Sequence, residues 1–406
     1  MMTELKFTRR GALGLLAAAP LAGWAGQARA ASQPIKIGLV LTMSGPFASS
    51  GQIMANAAKL YLETEGKSVL GDIPVELVIR DDGGANPDVA KRLVQELVTR
   101  DKVQYLGGFQ WTPNANAIAP LLLKAKMPCV LFNAAGANTT QLAPWYVRTA
   151  FTHWQVNQPL GEWAAAKRGF KRAYLLTTDF APGHDAEEAF TKGFTSKGGA
   201  IVASVKMPIQ STNFVPFLLA AKQEKPDVVF AFHPGGVQAS AFMRAYQEAD
   251  LRGAGIQLIG PGDLTSDEEL PNIGNAALGV ITAGQYSMAG DRPANAAFVE
   301  AWKKAYTFMP VRPNYMAVGA YDGMHLICSA IAATKGAVDA AGAMAAMKIF
   351  KAEQSPRGPI SIDPETRDIV QNIYIREVRE KNGELANVEL ETIPAVKDPW
   401  KVEHPL

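Results

Sequence analysis

From Ile35 onward, short apolar runs alternate with longer stretches in which apolar residues recur every three to four positions. The runs Ile35–Leu41, Val75–Ile79, Val103–Gly107 and Pro128–Phe132 read as strands apolar on both faces. Such strands belong in a parallel sheet covered by helices on both sides. The spacers agree, because Ile53, Ala57, Leu60 and Tyr61 share one helical face and Val89, Leu93, Val94 and Leu97 share another. A second series follows Thr149, with strands expected at Ala173–Thr177, Ile201–Val205, Asp227–Phe232 and Ile256–Ile259. Two βα series in succession predict an α/β chain of two doubly wound lobes.

The last third breaks this simple division. Leu278–Thr282 reads as one more strand, but the helices Pro293–Phe308 and Asn314–Thr334 follow before strand character returns at Val370–Val378. A chain that crosses between its lobes more than once produces this order, so both lobes are expected to be discontinuous. No fixed short repeat and no low-complexity linker is visible.

The amino end has a different character. Thr8, Arg9 and Arg10 precede an uncharged stretch from Gly11 to Ala28, and Ala28-Arg29-Ala30 offers the small-x-small pattern of a signal-peptidase site. Residues 1–30 are therefore expected to be a twin-arginine export signal, cleaved near Ala30 and leaving a periplasmic protein. The apolar part is about 14 residues, short of the roughly 20 that span a bilayer. No later stretch looks apolar enough to cross one.

Removing residues 1–30 takes away Lys6, Arg9, Arg10 and Arg29 against Glu4, so the formal charge falls from +2 by 3 to −1. A nearly neutral chain gives no electrostatic reason to expect nucleic acid or an anionic membrane as partner. Cys129 and Cys328 each sit in an apolar run with no second cysteine or metal-ligand spacing nearby, which predicts two buried free thiols.

In open parallel sheets the ligand lies beyond the carboxyl ends of the strands. The loops that reach this position are 43–51, 81–86, 108–112 and 133–140 in the first lobe and 178–183, 233–236 and 261–266 in the second. They are rich in Gly, Ser, Thr, Asn and aromatic residues and poor in cations. In Gln110-Trp111-Thr112-Pro113, Thr112 is a good N-cap and Pro113 a good first helical residue, so a helix is expected from there to about Lys126. Its amide end would face the cleft as an anion site, with Trp111 as a flat wall beside it. His233-Pro234-Gly235-Gly236 puts an imidazole at the matching point of the second lobe.

Catalytic motifs are missing: no Gly-x-Ser-x-Gly elbow, P-loop, His-Glu-x-x-His helix or Gly-x-Gly-x-x-Gly follows the first strand. Asp81-Asp82, a strand-terminal pair that more often caps the next turn, and His184-Asp185, with no third ligand in sight, are weak metal candidates. No cofactor and no metal is implied.

The segments Ile37-Gly38, Ser44-Gly45-Pro46 and Gly51 resemble the opening of the leucine/isoleucine/valine-binding proteins, the type I periplasmic solute-binding proteins of ABC importers. The similarity continues through Asp81-Asp82, Tyr105-Leu106-Gly107-Gly108, Arg148-Thr149, Pro226-Asp227-Val228, Gly260-Pro261 and Tyr321-Asp322. The resemblance implies two lobes joined by a three-segment hinge, with crossings near Arg148, Ile281 and Ile360. Lobe 1 would then comprise residues 31–148 and 282–359, and lobe 2 residues 149–281 and 360–406. It also implies ligand contacts at Trp111, Thr112, Ala135 and Gly136, with Phe47 and Ser50 at the rim, and at Phe180, His233 and the Gly262-Asp263 loop across the cleft. The chain departs from the amino-acid binders in two places. Gln110-Trp111-Thr112-Pro113 replaces their serine-rich loop, and the acidic residue that pairs with an ammonium falls on Gly262, with Asp263 one position late.

These features imply a monomeric binding protein that captures a small carboxylate-bearing metabolite and delivers it to a membrane permease. An aromatic or branched aliphatic acid is the first expectation, with a branched-chain amino acid next. A sensor of the same fold and a cleft hydrolase or glycosyltransferase are the rival readings.

Overall fold

Strand β1 (Ile35–Leu41) forms over the whole of the first apolar run, with six of its seven residues buried. The computed structural model describes residues 33–405 apart from 210, 236 and 309–311; the expected export segment, residues 1–30, lies outside the described residues. Strands β2 (Val75–Asp81), β3 (Tyr105–Gly108), β4 (Cys129–Leu131) and β5 (Tyr146–Arg148) join β1 in a wholly parallel sheet of order β2-β1-β3-β4-β5. Helices α1 (Ala48–Tyr61), α2 (Lys67–Leu70), α3 (Pro87–Glu96) and α4 (Thr112–Ala125) make its connections.

The second sheet starts from the same plan. Strands β6 (Arg172–Thr178), β7 (Ala200–Met207), β8 (Val228–Phe232), β9 (Gln257–Pro261) and β10 (Ile281–Gly284) run parallel in the order β7-β6-β8-β9-β10. Helices α5 (His153–Ala166), α6 (Ala181–Ser196), α7 (Val215–Gln223), α8 (Val237–Ala249) and α9 (Leu270–Ile273) belong to this series. The strand expected at Leu278–Thr282 begins instead at Ile281, because Gly274–Ala277 form a short 3-10 turn that delays it.

The chain then leaves this sheet. After α10 (Pro293–Ala305), helix α11 (Tyr315–Ala333) packs on α1, β3 and β4, followed by α12 (Ala340–Lys348). It returns through β11 (Lys351–Ala352), β12 (Ile360–Ile362), β13 (Ile369–Lys381) and β14 (Glu384–Val396), which extend the second sheet in antiparallel fashion beyond β10. Helix α13 (Pro399–Glu403) follows. The α/β architecture with two sheets and a chain that passes between them is thus present, as the apolar pattern indicated.

Helices cover both faces of each sheet. Leu93, Val94 and Leu97 bury one face of the first sheet with Ile118 and Leu122, while Ile53, Ala57, Leu60 and Tyr61 bury the other with α11. Leu218, Phe242 and Met243 cover the second sheet against Leu176 and Leu258. At about 25 cal/mol per Å² of apolar surface, each such side chain contributes roughly 1.5–3 kcal/mol. Helix α11 meets the length and hydropathy of a membrane span, contrary to the expectation for this part of the chain. Its apolar window is 78% buried inside the protein, so its composition is that of a core helix. Cys129 and Cys328 are buried and unbonded, and burial pushes both thiols up, Cys328 to about 12.

Two buried ion pairs staple the passages between the sheets. Arg148 at the end of β5 meets Asp368 at 2.9 Å, and Arg357 meets Asp322 at 2.7 Å while donating to the carbonyls of Thr149, Ala150 and Val318. Both guanidiniums are fully buried, so removing one partner would cost about 3–5 kcal/mol.

Candidate functional site

In the first sheet the strand order reverses between β1 and β3, and in the second between β6 and β8; loops part at such points and leave a crevice. A narrow cleft of about 40 Å³, partly open to solvent, lies there. Most of its lining comes from the carboxyl ends of strands: Gln110, Trp111 and Thr112 after β3, Asn133 and Ala135 after β4, Phe151 and His153 after β5. Phe180 and Pro182 follow β6, Phe232 ends β8, Pro234 and Gly235 come next, Asp263 follows β9, and Tyr315 and Met316 open α11.

The Trp111 side is held by a directed chain of hydrogen bonds. The indole Nε1 donates to Thr42 Oγ1 at 3.0 Å, Thr42 donates to Asp82 Oδ1 at 2.7 Å, and Asn114 donates to Asp82 Oδ2 at 3.0 Å. Burial pushes the Asp82 carboxyl up, while the bonds from Thr42, Gly84 and Asn114 pull it down. Phe47 meets the Trp111 ring edge-on at 4.8 Å. Five groups thereby fix one indole plane against the cleft.

Thr112 behaves differently from the expectation. Trp111 occupies the N-cap position, Thr112 is the first helical residue, and no side chain caps α4. The Thr112 Oγ1 instead accepts from the Gly136 N–H at 3.1 Å, tying the β4 loop to the start of the helix. Pro113 has no N–H, so the Thr112 and Asn114 amides are the donors that this helix end leaves without intrahelical partners. A helix start of this kind favours a negative charge. Oε1 of Gln110 and Oδ1 of Asn133, on the same side, are buried without hydrogen-bond partners among the described residues.

The opposite wall is aromatic. Phe180 stacks on Phe232 at 5.9 Å, Phe232 meets His153 at 4.5 Å, His153 meets Phe151 at 5.3 Å, and Phe151 meets Tyr315 at 5.7 Å. Burial, reinforced by the nearby Arg148 charge, lowers His153 to about 3, so this imidazole is neutral. Tyr315 Oη donates to Asp263 Oδ1 at 2.8 Å. Burial raises the Asp263 carboxyl to about 6 against the opposing pull of that bond and of Arg376. Neither lysine nor arginine contributes to the cleft lining among the described residues.

Trp111, Thr112, Ala135, Phe180 and Asp263 are therefore brought together from the expected contact set. Four others lie elsewhere. Gly136 sits one residue behind Ala135, bonded to Thr112; Phe47 buttresses Trp111; Ser50 is buried within α1; and His233 turns away from the cleft. Successive strand side chains point to opposite faces, so when Phe232 faces the cleft His233 packs with Phe214 and Phe242 in the core behind, its Nδ1 donating to the Pro234 carbonyl. The cleft imidazole is His153. Its signal was present: Thr152 and Gln155 form a capping box that starts α5 just past β5, at the end of the strands where ligands bind. Phe232 and Tyr315 were expected only as members of a strand and a helix, and Phe151 carried no signal of its own.

The weak metal candidates resolve as structural groups. Asp81 accepts from the Met43 and Gly83 amides, His184 meets Asp179 at 2.8 Å, and Asp185 accepts from the Ala137 amide. No group of three potential ligands for a metal occurs among the described residues.

Residues 34–384 match the family model of the periplasmic binding proteins. The chain is 42% identical over 366 residues to the Leu/Ile/Val-binding protein homolog 6 of Brucella abortus (strain 2308), covering 90% of this chain and 93% of that one. It is 47% identical to a solute-binding protein of an ABC transporter from Rhodopseudomonas palustris BisB5 solved with 3,4-dihydroxybenzoic acid, with a TM-score of 0.86 over 91% of this chain and 99% of the other. A second such protein, from Rhodopseudomonas palustris HaA2 and solved with p-hydroxybenzoic acid, is 40% identical with a TM-score of 0.88, over 91% and 100% of the two chains.

Proposed function

The chain belongs to the periplasmic binding protein family and is the substrate-binding component of an ABC importer, and we propose that its cleft captures an aromatic carboxylate for delivery to the importer's membrane permease. The observation that carries this reading is an uncapped helix end facing an aromatic wall, with no cation in the lining among the described residues. A carboxylate placed there is held by amide donors and a ring lies between the indole and the phenyl groups. The two solved relatives were crystallised with acids of this chemistry.

Magnitudes rank the contributions. A helix end stabilises an anion by up to about 2 kcal/mol. Burying roughly 150–200 Å² of ring at about 25 cal/mol per Å² gives around 4–5 kcal/mol. Apolar burial sets the strength, and α4 sets the direction.

In this reading the chain folds as two lobes divided near Arg148, Ile281 and Ile360, and it works by hinge closure, because a ligand that touches both sheets favours the closed population. It acts as a monomer and performs no covalent chemistry. Export by the twin-arginine route and cleavage near Ala30 deliver it to the periplasm, where this family operates. The second reading is a branched-chain amino acid, favoured by the carboxylate of Asp263, which could pair with an ammonium, and by the name of the Brucella relative.

A thermal-shift screen of the mature chain tests both. Ligand at 100 times its Kd stabilises the folded form by about 2.7 kcal/mol, so benzoate-class acids are expected to raise Tm and leucine to leave it unchanged. Stabilisation by leucine alone would overturn the aromatic assignment.

A further inference from the structure

We propose that Asp263, positioned by Tyr315, reads a hydroxyl group on the ligand's ring, so that the cleft selects hydroxylated benzoates over unsubstituted benzoate. This inference rests on the aromatic-carboxylate reading above and adds a rule of selection to it.

Asp263 stands at the start of the turn after β9 and borders the cleft. One carboxylate oxygen, Oδ1, is occupied by the Tyr315 hydroxyl at 2.8 Å. Beyond that bond and the acid's own backbone amide, no other residue donates a hydrogen bond to this carboxylate among the described residues. The nearest cation does not fill the gap. Arg376 lies in a small cavity directly behind Asp263, spends its guanidinium on the Tyr286 carbonyl and the Thr282 hydroxyl, and forms no ion pair among the described residues. The acid is thus oriented by Tyr315, lies near a positive charge and borders the cleft with acceptor capacity that no other described residue fills.

A ring bound with its carboxylate at α4 turns its far edge toward this acceptor. With a hydrogen atom at that edge, a buried carboxylate oxygen loses water and gains nothing. With a hydroxyl there, an O–H donates to a charged acceptor, which is among the stronger hydrogen bonds. Sites built to bond a substrate hydroxyl reject the analogue that lacks it far more sharply than apolar pockets distinguish a methylene.

The Tyr315 bond also joins two layers. Asp263 follows a strand of the nine-stranded sheet, while Tyr315 opens α11, which packs on α1, β3 and β4 of the five-stranded sheet. The acceptor is therefore set in place only when the two sheets approach across the cleft, so hydroxyl recognition and closure form one event.

The test is calorimetry of the mature chain with benzoate, 4-fluorobenzoate, 4-hydroxybenzoate, 3,4-dihydroxybenzoate and leucine. The 4-hydroxy acid is expected to bind at least about tenfold tighter than benzoate and 4-fluorobenzoate, the latter matching the hydroxyl in size without its proton. In Asp263→Asn the ratio of 4-hydroxybenzoate to 4-fluorobenzoate affinities should fall about tenfold, and Tyr315→Phe should lower it less. The fluoro comparison needs no variant, so misfolding of Asp263→Asn would leave the test intact. Equal binding of all the benzoates overturns the hydroxyl reader but spares the aromatic assignment. Binding of leucine alone, lost in Asp263→Asn, overturns both and makes Asp263 an ammonium partner.

Discussion

At the end of β1, α1 approaches so closely that a Cβ on Gly51 would fall 1.9 Å from the Thr42 carbonyl oxygen; at the end of β6, a Cβ on Gly183 would fall 1.8 Å from that of Thr178. Both sheets use one device to bring a helix start over the mouth of their first strand. What each junction carries then differs. Thr42 passes its hydroxyl into the Asp82 and Trp111 network, whereas Thr178 donates to the Phe232 carbonyl at 3.2 Å and leaves the cleft to stacked rings. One side is polar, directed and tied down; the other is apolar and broad. Matched scaffolds with unmatched furniture let one half aim a ligand while the other supplies contact area.

The shared junction is the part of this comparison that can be broken with the largest effect. Gly51→Ala and Gly183→Ala should each destabilise the fold by about 3 kcal/mol, since backbone, not a flexible side chain, must move to admit the methyl group. Urea unfolding of the two variants checks it, and a neutral result at either site would show that the junctions are not equivalent. Next in size is Trp111→Ala, expected to weaken an aromatic acid about 100-fold, near 2.8 kcal/mol, by removing the plane that the hydrogen-bond chain holds. Calorimetry on a variant shown to be folded should show that loss.

The Asp263 acceptor sharpens the contrast through pH. Its carboxyl is raised to about 6 by burial, opposed by the Tyr315 hydroxyl and the Arg376 charge. Above that value it is ionised and accepts only; below it a proton occupies the acceptor. The advantage of 4-hydroxybenzoate over 4-fluorobenzoate is therefore full near pH 8 and shrinks, by up to about tenfold, as pH falls through 6 toward 5. A ratio flat across that window would mean Asp263 is not the group that distinguishes them.

Which parts could be read in advance follows from burial. Strands packed on both faces announce themselves: β1 spans the predicted run, and β8 differs from its prediction by one residue. Strand β5 was hidden because it is three residues long and ends in Arg148, a charge whose burial depends on Asp368, 220 positions away. Strand β14 was hidden for the opposite reason, being half exposed and rich in Glu along the outer side of β13. The cleft shows the same split. Trp111, Thr112, Ala135, Phe180 and Asp263 lie in loops whose position follows from strand ends, but Tyr315 reaches it from a helix of the other layer. His233 looked like the cleft imidazole because it follows β8, and strand alternation sends it to the core while Phe232 takes the cleft side. Which loops meet can be inferred from strand order; which side chain of each loop points inward depends on a one-residue register.

The smallest expected effect concerns how the polar side aims its ligand. Thr112 could grip a carboxylate with its hydroxyl, but that hydroxyl already accepts the Gly136 N–H at 3.1 Å, and the Thr112 and Asn114 amides remain in Thr112→Val. The substitution keeps the side-chain shape and leaves the buried Gly136 N–H without its acceptor, a loss of about 1 kcal/mol. Affinity for an aromatic acid should therefore fall only about fivefold, with the order of preference among ring substituents unchanged. A fall of 50-fold or more would mean that the hydroxyl itself holds the anion, and the division between an amide end that aims and a ring wall that binds would have to be redrawn.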